Sequence, residues 1–88
     1  MKCEVEILNP LGLHARPAAE FVKTVRQFHS KVFIHHGTEV ISAGSILELL
    51  GADLSVGTQL TLEAEGPDAE AALARLRALL VEFAKREN

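Results

Sequence analysis

Polar and apolar residues alternate from Lys2 to Leu8 with Cys3, Val5 and Ile7 in phase, the period of a strand with one dry face. From Pro17 the spacing lengthens. Ala18, Phe21, Val22, Val25 and Phe28 recur at steps of three and four, which predicts an amphipathic helix following the strand almost at once. Val32-Phe33-Ile34 and Val40-Ile41 then flank His35-His36-Gly37-Thr38-Glu39, two short β-rich runs around a glycine that read as a hairpin. Ser45-Ile46-Leu47-Glu48 has the form of a capping box, in which the serine hydroxyl accepts from the Glu48 amide and the Glu48 carboxylate reaches back to the Ser45 amide. It opens a short helix ending near Gly51. Alternation returns over Gln59 to Glu65, with Leu60, Leu62 and Ala64 on one face. Gly66-Pro67-Asp68 introduces a last helix with its stripe at Ala69, Ala72, Leu73, Leu76, Leu79, Leu80 and Phe83, acidic at its start (Asp68, Glu70) and basic at its end (Lys85, Arg86). The order β-α-β-β-α-β-α, with one dry face per strand and one stripe per helix, predicts an α+β fold. Helices on one side of a mainly antiparallel sheet bury every stripe together.

Composition narrows the function classes. Eighty-eight residues, 48% of them apolar and 24% charged, are enough for one globular domain over 1–88 and too apolar for disorder. Nine basic against twelve acidic residues leave a net charge of −3, so no global positive field draws the chain to nucleic acid or an anionic membrane. Any anion must be held locally. With no Tyr or Trp, an RNA-binding α+β domain is disfavoured. No apolar run approaches the ~18 residues of a membrane span, one cysteine forms no disulfide framework, and the opening residues lack a basic-then-apolar leader. A cytoplasmic protein is expected, and nothing in the pattern demands a dimer, since no helix is apolar on two faces.

The chemistry-bearing stretch is Asn9-Pro10-Leu11-Gly12-Leu13-His14-Ala15-Arg16-Pro17-Ala18-Ala19. Pro17 fits only the first turn of a helix, so His14 falls at or beside the N-cap, facing the free amides of Ala15 and Arg16 and the positive end of the helix dipole. That setting favours the neutral, nucleophilic imidazole. A phosphoryl group on a ring nitrogen would take bonds from those amides and from Arg16, whose charge otherwise opposes the dipole. Gly12 lets the chain turn sharply and keeps the histidine open to a partner.

The run Gly12-Leu13-His14-Ala15-Arg16-Pro17-Ala18-Ala19, together with Ser45-Ile46-Leu47, the strand ending at Glu65-Gly66 and the final helix, resembles the HPr family, the histidine-containing phosphocarriers of the bacterial phosphoenolpyruvate-dependent sugar phosphotransferase system. The resemblance implies an open-faced β-sandwich of four antiparallel strands covered on one side by three helices, and a monomer. It implies that His14 is phosphorylated on Nδ1 by phospho-enzyme I and passes the group to a sugar-specific enzyme IIA, with Arg16 assisting and no cofactor. It also makes Ser45 the counterpart of a serine that an HPr kinase/phosphorylase modifies to bind a catabolite-control repressor, although Gly44 and Glu48 replace the lysine and glycine often found beside it. Two other roles stay open: a regulatory binding module working through Ser45, and a nitrogen-branch relay built on the same motif.

The remaining polar residues read as structural. His29, His35 and His36 suggest a metal site only superficially, because adjacent histidines at a hairpin turn point apart and no carboxylate or cysteine joins them at ligand spacing. Cys3 is in phase with Val5 and Ile7 and reads as a small inert hydrophobe. A docking surface is expected where Ala19, Lys23 and Arg26 of the first helix meet Leu47 and Leu50 of the second, an apolar spot with a basic rim suited to acidic partners, weakened by Glu20.

Overall fold

In the computed structural model, which describes residues 1–87, the chain forms β1 (Lys2–Glu6), α1 (Ala15–Val25), β2 (Lys31–His36), β3 (Glu39–Ser42), α2 (Ile46–Gly51), β4 (Gln59–Glu65) and α3 (Ala69–Arg86). Every element expected from the hydrophobic pattern is present, in the expected order. The strands make one antiparallel sheet in the order β1-β4-β2-β3. β4 therefore inserts between β1 and β2, which run parallel without touching, the split βαβ arrangement.

The register shows why all three helices share one side. Cys3 pairs with Leu62, Leu62 with Ile34 and Ile34 with Ile41, so one apolar row crosses all four strands. The next row is polar, with Lys2, Glu63, Phe33 and Ser42 in line. Only the first kind of row can be covered by the stripes of the helices, where Phe21 of α1, Leu49 of α2 and Leu76 and Phe83 of α3 are fully enclosed. Cys3 packs half-buried against this core, and burial pushes its thiol up, partly offset by the Arg77 charge, as befits an inert cysteine.

Several boundaries move. α1 stops at Val25 rather than continuing to Phe28, because Gln27 and Phe28 donate to the carbonyls of Thr24 and Val25 in tighter three-residue turns that end the helix. The hairpin is also tighter than expected. β2 runs through His35 and His36, leaving a two-residue turn whose first position, Gly37, takes φ +62°. The two histidines are thus strand residues rather than turn residues, on opposite faces, and His35 Nε2 lies 2.7 Å from Glu63 Oε1 on the uncovered face. The first strand ends at Glu6, two residues early, and Leu8 is exposed.

Asp68, at the N-cap of α3, makes no side-chain bond to its own helix. Its carboxylate accepts from the Ser30 hydroxyl and from the His29 and Ser30 amides at 2.9 and 2.8 Å, which together hold it below the ordinary carboxylate value. This tie between the α1–β2 turn and α3 is present above that ordinary value and is lost as pH falls through the lowered one.

Candidate functional site

The site begins in the turn after β1. Asn9 is fully buried; its carbonyl accepts from the Gly12 amide at 2.9 Å and its side-chain amide donates to the Gly12 carbonyl. Gly12 has φ +70°, and a Cβ there would stand 2.5 Å from the Leu54 carbonyl oxygen. No other residue tolerates both conditions. The next amide, Leu13, donates to that same oxygen at 2.9 Å, so the turn is docked on the segment between α2 and β4. Buried Leu13 then fixes where the following residue must lie.

That residue is His14, the N-cap of α1, with φ −80° and ψ −174°. Its carbonyl accepts the first helical bond, from Ala18, at 2.9 Å, while its side chain makes no capping bond. Pro17 is buried and has no N–H, so only Ala15 and Arg16 present first-turn amides without a helical acceptor. Arg16 is exposed at the positive end of the helix, and no acidic residue lies in the first turn to offset it. Two amides, a guanidinium and an imidazole 41% exposed thus share one helix terminus, an arrangement able to hold a tetrahedral oxyanion beside a nitrogen nucleophile.

Sequence reasoning missed the residue on the other side of the ring. Glu87 follows the last residue of α3, and its Oε2 lies 3.5 Å from His14 Nε2. Nε2 is shielded from solvent and has no hydrogen-bond partner among the described residues. The same carboxylate accepts from Asn9 Nδ2 at 2.8 Å and from the Leu11 amide at 3.0 Å. Burial pushes its carboxyl up, but the Leu11 amide, Asn9 and His14 more than offset this and hold it below the usual glutamate value. The field at the imidazole is therefore not that of the helix terminus alone. The one available signal was an acidic residue at the negative end of a helix, where the dipole disfavours it.

Ser45 is the N-cap of α2 and half-buried, with its hydroxyl accepting from the Glu48 amide at 3.3 Å. Only half of the expected capping box forms. The Ser45 amide already donates to the Ser42 carbonyl at 3.2 Å, so the Glu48 carboxylate turns to the Ser42 amide at 3.2 Å. Ala19 and Lys23 are exposed on α1 and Arg26 at its C-cap, and Leu47 and Leu50 are exposed on the adjacent α2, Leu47 at 81%. The Arg26 guanidinium donates to the Gly44 carbonyl at 3.0 and 3.2 Å, which parks its charge beside the start of α2. Glu20, expected to weaken the basic stripe, is neutralised by Arg86 of α3.

The family model described as "PTS HPr component phosphorylation site" matches residues 1–82. A phosphocarrier protein HPr from Haemophilus influenzae is 42% identical over 88% of this chain and 91% of its own length. A phosphocarrier protein NPr from Escherichia coli is 42% identical as well, over 90% of this chain and 89% of its own. Among solved structures, HPr-C-His from Thermoanaerobacter tengcongensis superposes with a TM-score of 0.94 at 35% identity, covering all of this chain and 99% of that one.

Proposed function

The chain belongs to the HPr family of phosphocarriers of the phosphotransferase system, and on that premise we propose that His14 is its phosphoryl acceptor and donor, loaded by phospho-enzyme I and discharged to a histidine of a sugar-specific enzyme IIA. The observation that carries this reading is the open start of α1: a partly exposed imidazole beside two amides without helical acceptors and an exposed Arg16. In the loading step the Nδ1 lone pair forms the new P–N bond while the electron pair of the donor's P–N bond returns to the donor's ring nitrogen. The Ala15 and Arg16 amides and the Arg16 guanidinium hold the phosphoryl oxygens as charge gathers on them. Discharge is the same displacement in reverse, with this imidazole as leaving group. The chain is a stoichiometric relay, working in the cytoplasm.

Docking of both partners falls to the α1 and α2 surface, where Leu47 and Leu50 supply apolar contact and Ala19 a flat approach. Lys23 and the tethered Arg26 give that spot its basic rim on an otherwise acidic chain.

The test is intact-mass analysis after incubation with phosphoenolpyruvate and enzyme I, with His14→Ala and Arg16→Ala in parallel. We expect one acid-labile phosphoryl group on the wild type and none on His14→Ala. Arg16→Ala should load about tenfold or more slowly, as losing a charge-assisted hydrogen bond entails. An unmodified wild type, with enzyme I active on a control carrier, would remove the sugar-relay reading. The equal identity to an HPr and to an NPr favours a nitrogen-branch relay as the second reading. Loading by each branch's own enzyme I separates the two. An acid-stable phosphate on Ser45, added by an HPr kinase/phosphorylase and followed by binding of a catabolite-control repressor, would add a regulatory role to either.

A further inference from the structure

Glu87 stands apart from the other carboxylates of the described residues. It sits at the C-cap of α3, where the helix dipole repels it, yet its side chain is only 16% exposed and serves three groups of the active-site segment. Two of the three, the Asn9 side chain and the Leu11 amide, are the donors that hold the turn leading to His14. The third is the imidazole itself. Nε2 faces Glu87 Oε2 across 3.5 Å with no other partner among the described residues, so a proton on Nε2 has this one acceptor to turn to.

We propose that Glu87 is the positioning residue of this phosphocarrier site: its carboxylate keeps the imidazole proton on Nε2 and the Nδ1 lone pair outward, before and after Nδ1 carries the phosphoryl group. The inference rests on the relay reading above and deepens it. An imidazole has one lone pair to offer, and which nitrogen offers it depends on where the single ring proton resides. With the proton on Nε2, Nδ1 attacks phosphorus without first losing a proton. When the P–N bond has formed, the ring carries positive charge, and the carboxylate opposite Nε2 stabilises it. In the discharge step the electron pair of the P–N bond returns to Nδ1, and a neutral imidazole leaves with its proton still on Nε2. No proton crosses the site in either direction. This resembles in logic the carboxylate that orients a catalytic histidine, except that here it also anchors the loop that carries the ring.

Among the described residues, the titratable and charged groups around the pair are few. From α1 come Arg16 and Glu20, and from α3 comes Arg86, which is occupied by Glu20 and by Glu82 at 3.6 Å. Glu20 is thus committed to Arg86, leaving Glu87 as the carboxylate that faces the ring among the described residues.

The experiment compares the wild type with Glu87→Gln, which keeps the side chain's shape and an oxygen for Leu11 but removes the charge. Ring 15N NMR of unphosphorylated His14 reads the tautomer directly, and loading by phospho-enzyme I is followed across pH. We expect wild-type signals of an Nε2-protonated ring, a shift toward the other tautomer in Glu87→Gln, and loading of the variant slowed about tenfold, the scale on which removing a carboxylate that orients a histidine acts, with a displaced pH profile and a similar melting temperature. An Nδ1-protonated wild-type ring, or identical ring signals in the two proteins, would overturn the proposal, and so would slow loading with unchanged ring signals, which belongs to a loop anchor alone. If neither protein loads, the relay reading has failed, while the ring signals still decide whether Glu87 sets the tautomer.

Discussion

α1 and α2 begin in opposite ways, and the difference separates function from scaffolding within one small fold. At α2 the N-cap is Ser45, a preferred residue, its hydroxyl is spent on the Glu48 amide, and the Glu48 side chain is spent on Ser42. At α1 the N-cap is His14, an unusual one, and its side chain satisfies nothing in the helix. Pro17 removes one first-turn donor, and the two that survive belong to Ala15 and Arg16. A terminus whose cap is spent on its own helix and whose first turn carries a carboxylate is poorly suited to an anion. One left open, with a cation at the positive end, is stable chiefly because neighbouring elements hold it: Leu54 through Leu13 and Gly12, and Glu87 through Leu11 and Asn9.

The comparison breaks most severely at Gly12. Gly12→Ala forces a side chain into φ +70° and sets its Cβ 2.5 Å from the Leu54 carbonyl, a backbone atom that cannot step aside freely. The conformational strain alone is worth about 1–3 kcal/mol, or roughly 4–8 °C of melting temperature per kcal/mol for a chain of this size. We expect a clear drop in the thermal melt together with weakened loading of His14, because the turn that delivers the ring has moved. A variant that melts and loads like the wild type would show that the open start of α1 does not depend on this docking.

Ser45→Ala probes the closed terminus. Loss of a serine cap costs about 1 kcal/mol within a range of roughly 0.5–2, so the melt should fall by a few degrees while loading of His14 keeps its rate. A loss of loading comparable to that of the Gly12 variant would mean that the two termini are coupled, and that the contrast drawn between them is false.

The fold was almost wholly legible in the chain, because its sheet buries one face and alternation over Cys3–Ile7 and Gln59–Glu65 reports that directly. His14, Arg16 and Pro17 were legible for a related reason: the chemistry of a helix start is written in consecutive residues. What escaped depends on distant partners. Nothing near Glu87 in sequence announces that it meets Asn9, 78 positions away. Asp68 reads in the sequence as an acidic residue at the start of the last helix, and its carboxylate closes onto the α1–β2 turn. The half-formed capping box failed for a local reason of another kind, competition from the Ser42 carbonyl for the Ser45 amide. Local pattern assigns a polar group its chemistry; tertiary packing assigns its partner.

The finest test converts the open terminus into a closed one. His14→Ser keeps the extended backbone that an N-cap needs, φ −80° and ψ −174°, and supplies the hydroxyl that the site lacks. The gain is limited by Pro17. A serine cap ordinarily serves the second or third amide of the helix, and the third position here has none, so only the Arg16 amide can be reached. The proper reference is His14→Ala rather than the wild type, since both variants lose the imidazole, its packing and its contact with Glu87 to the same extent. Relative to alanine we expect serine to be more stable by about 0.5 kcal/mol, the low end of the cap effect, read as a melting shift of a few degrees, with neither variant accepting a phosphoryl group. Equal stability of the two would mean that the first-turn amides of α1 are already satisfied by solvent as well as a hydroxyl could do it. The opposition between the two helix starts would then lie in their side chains alone and not in their free donors.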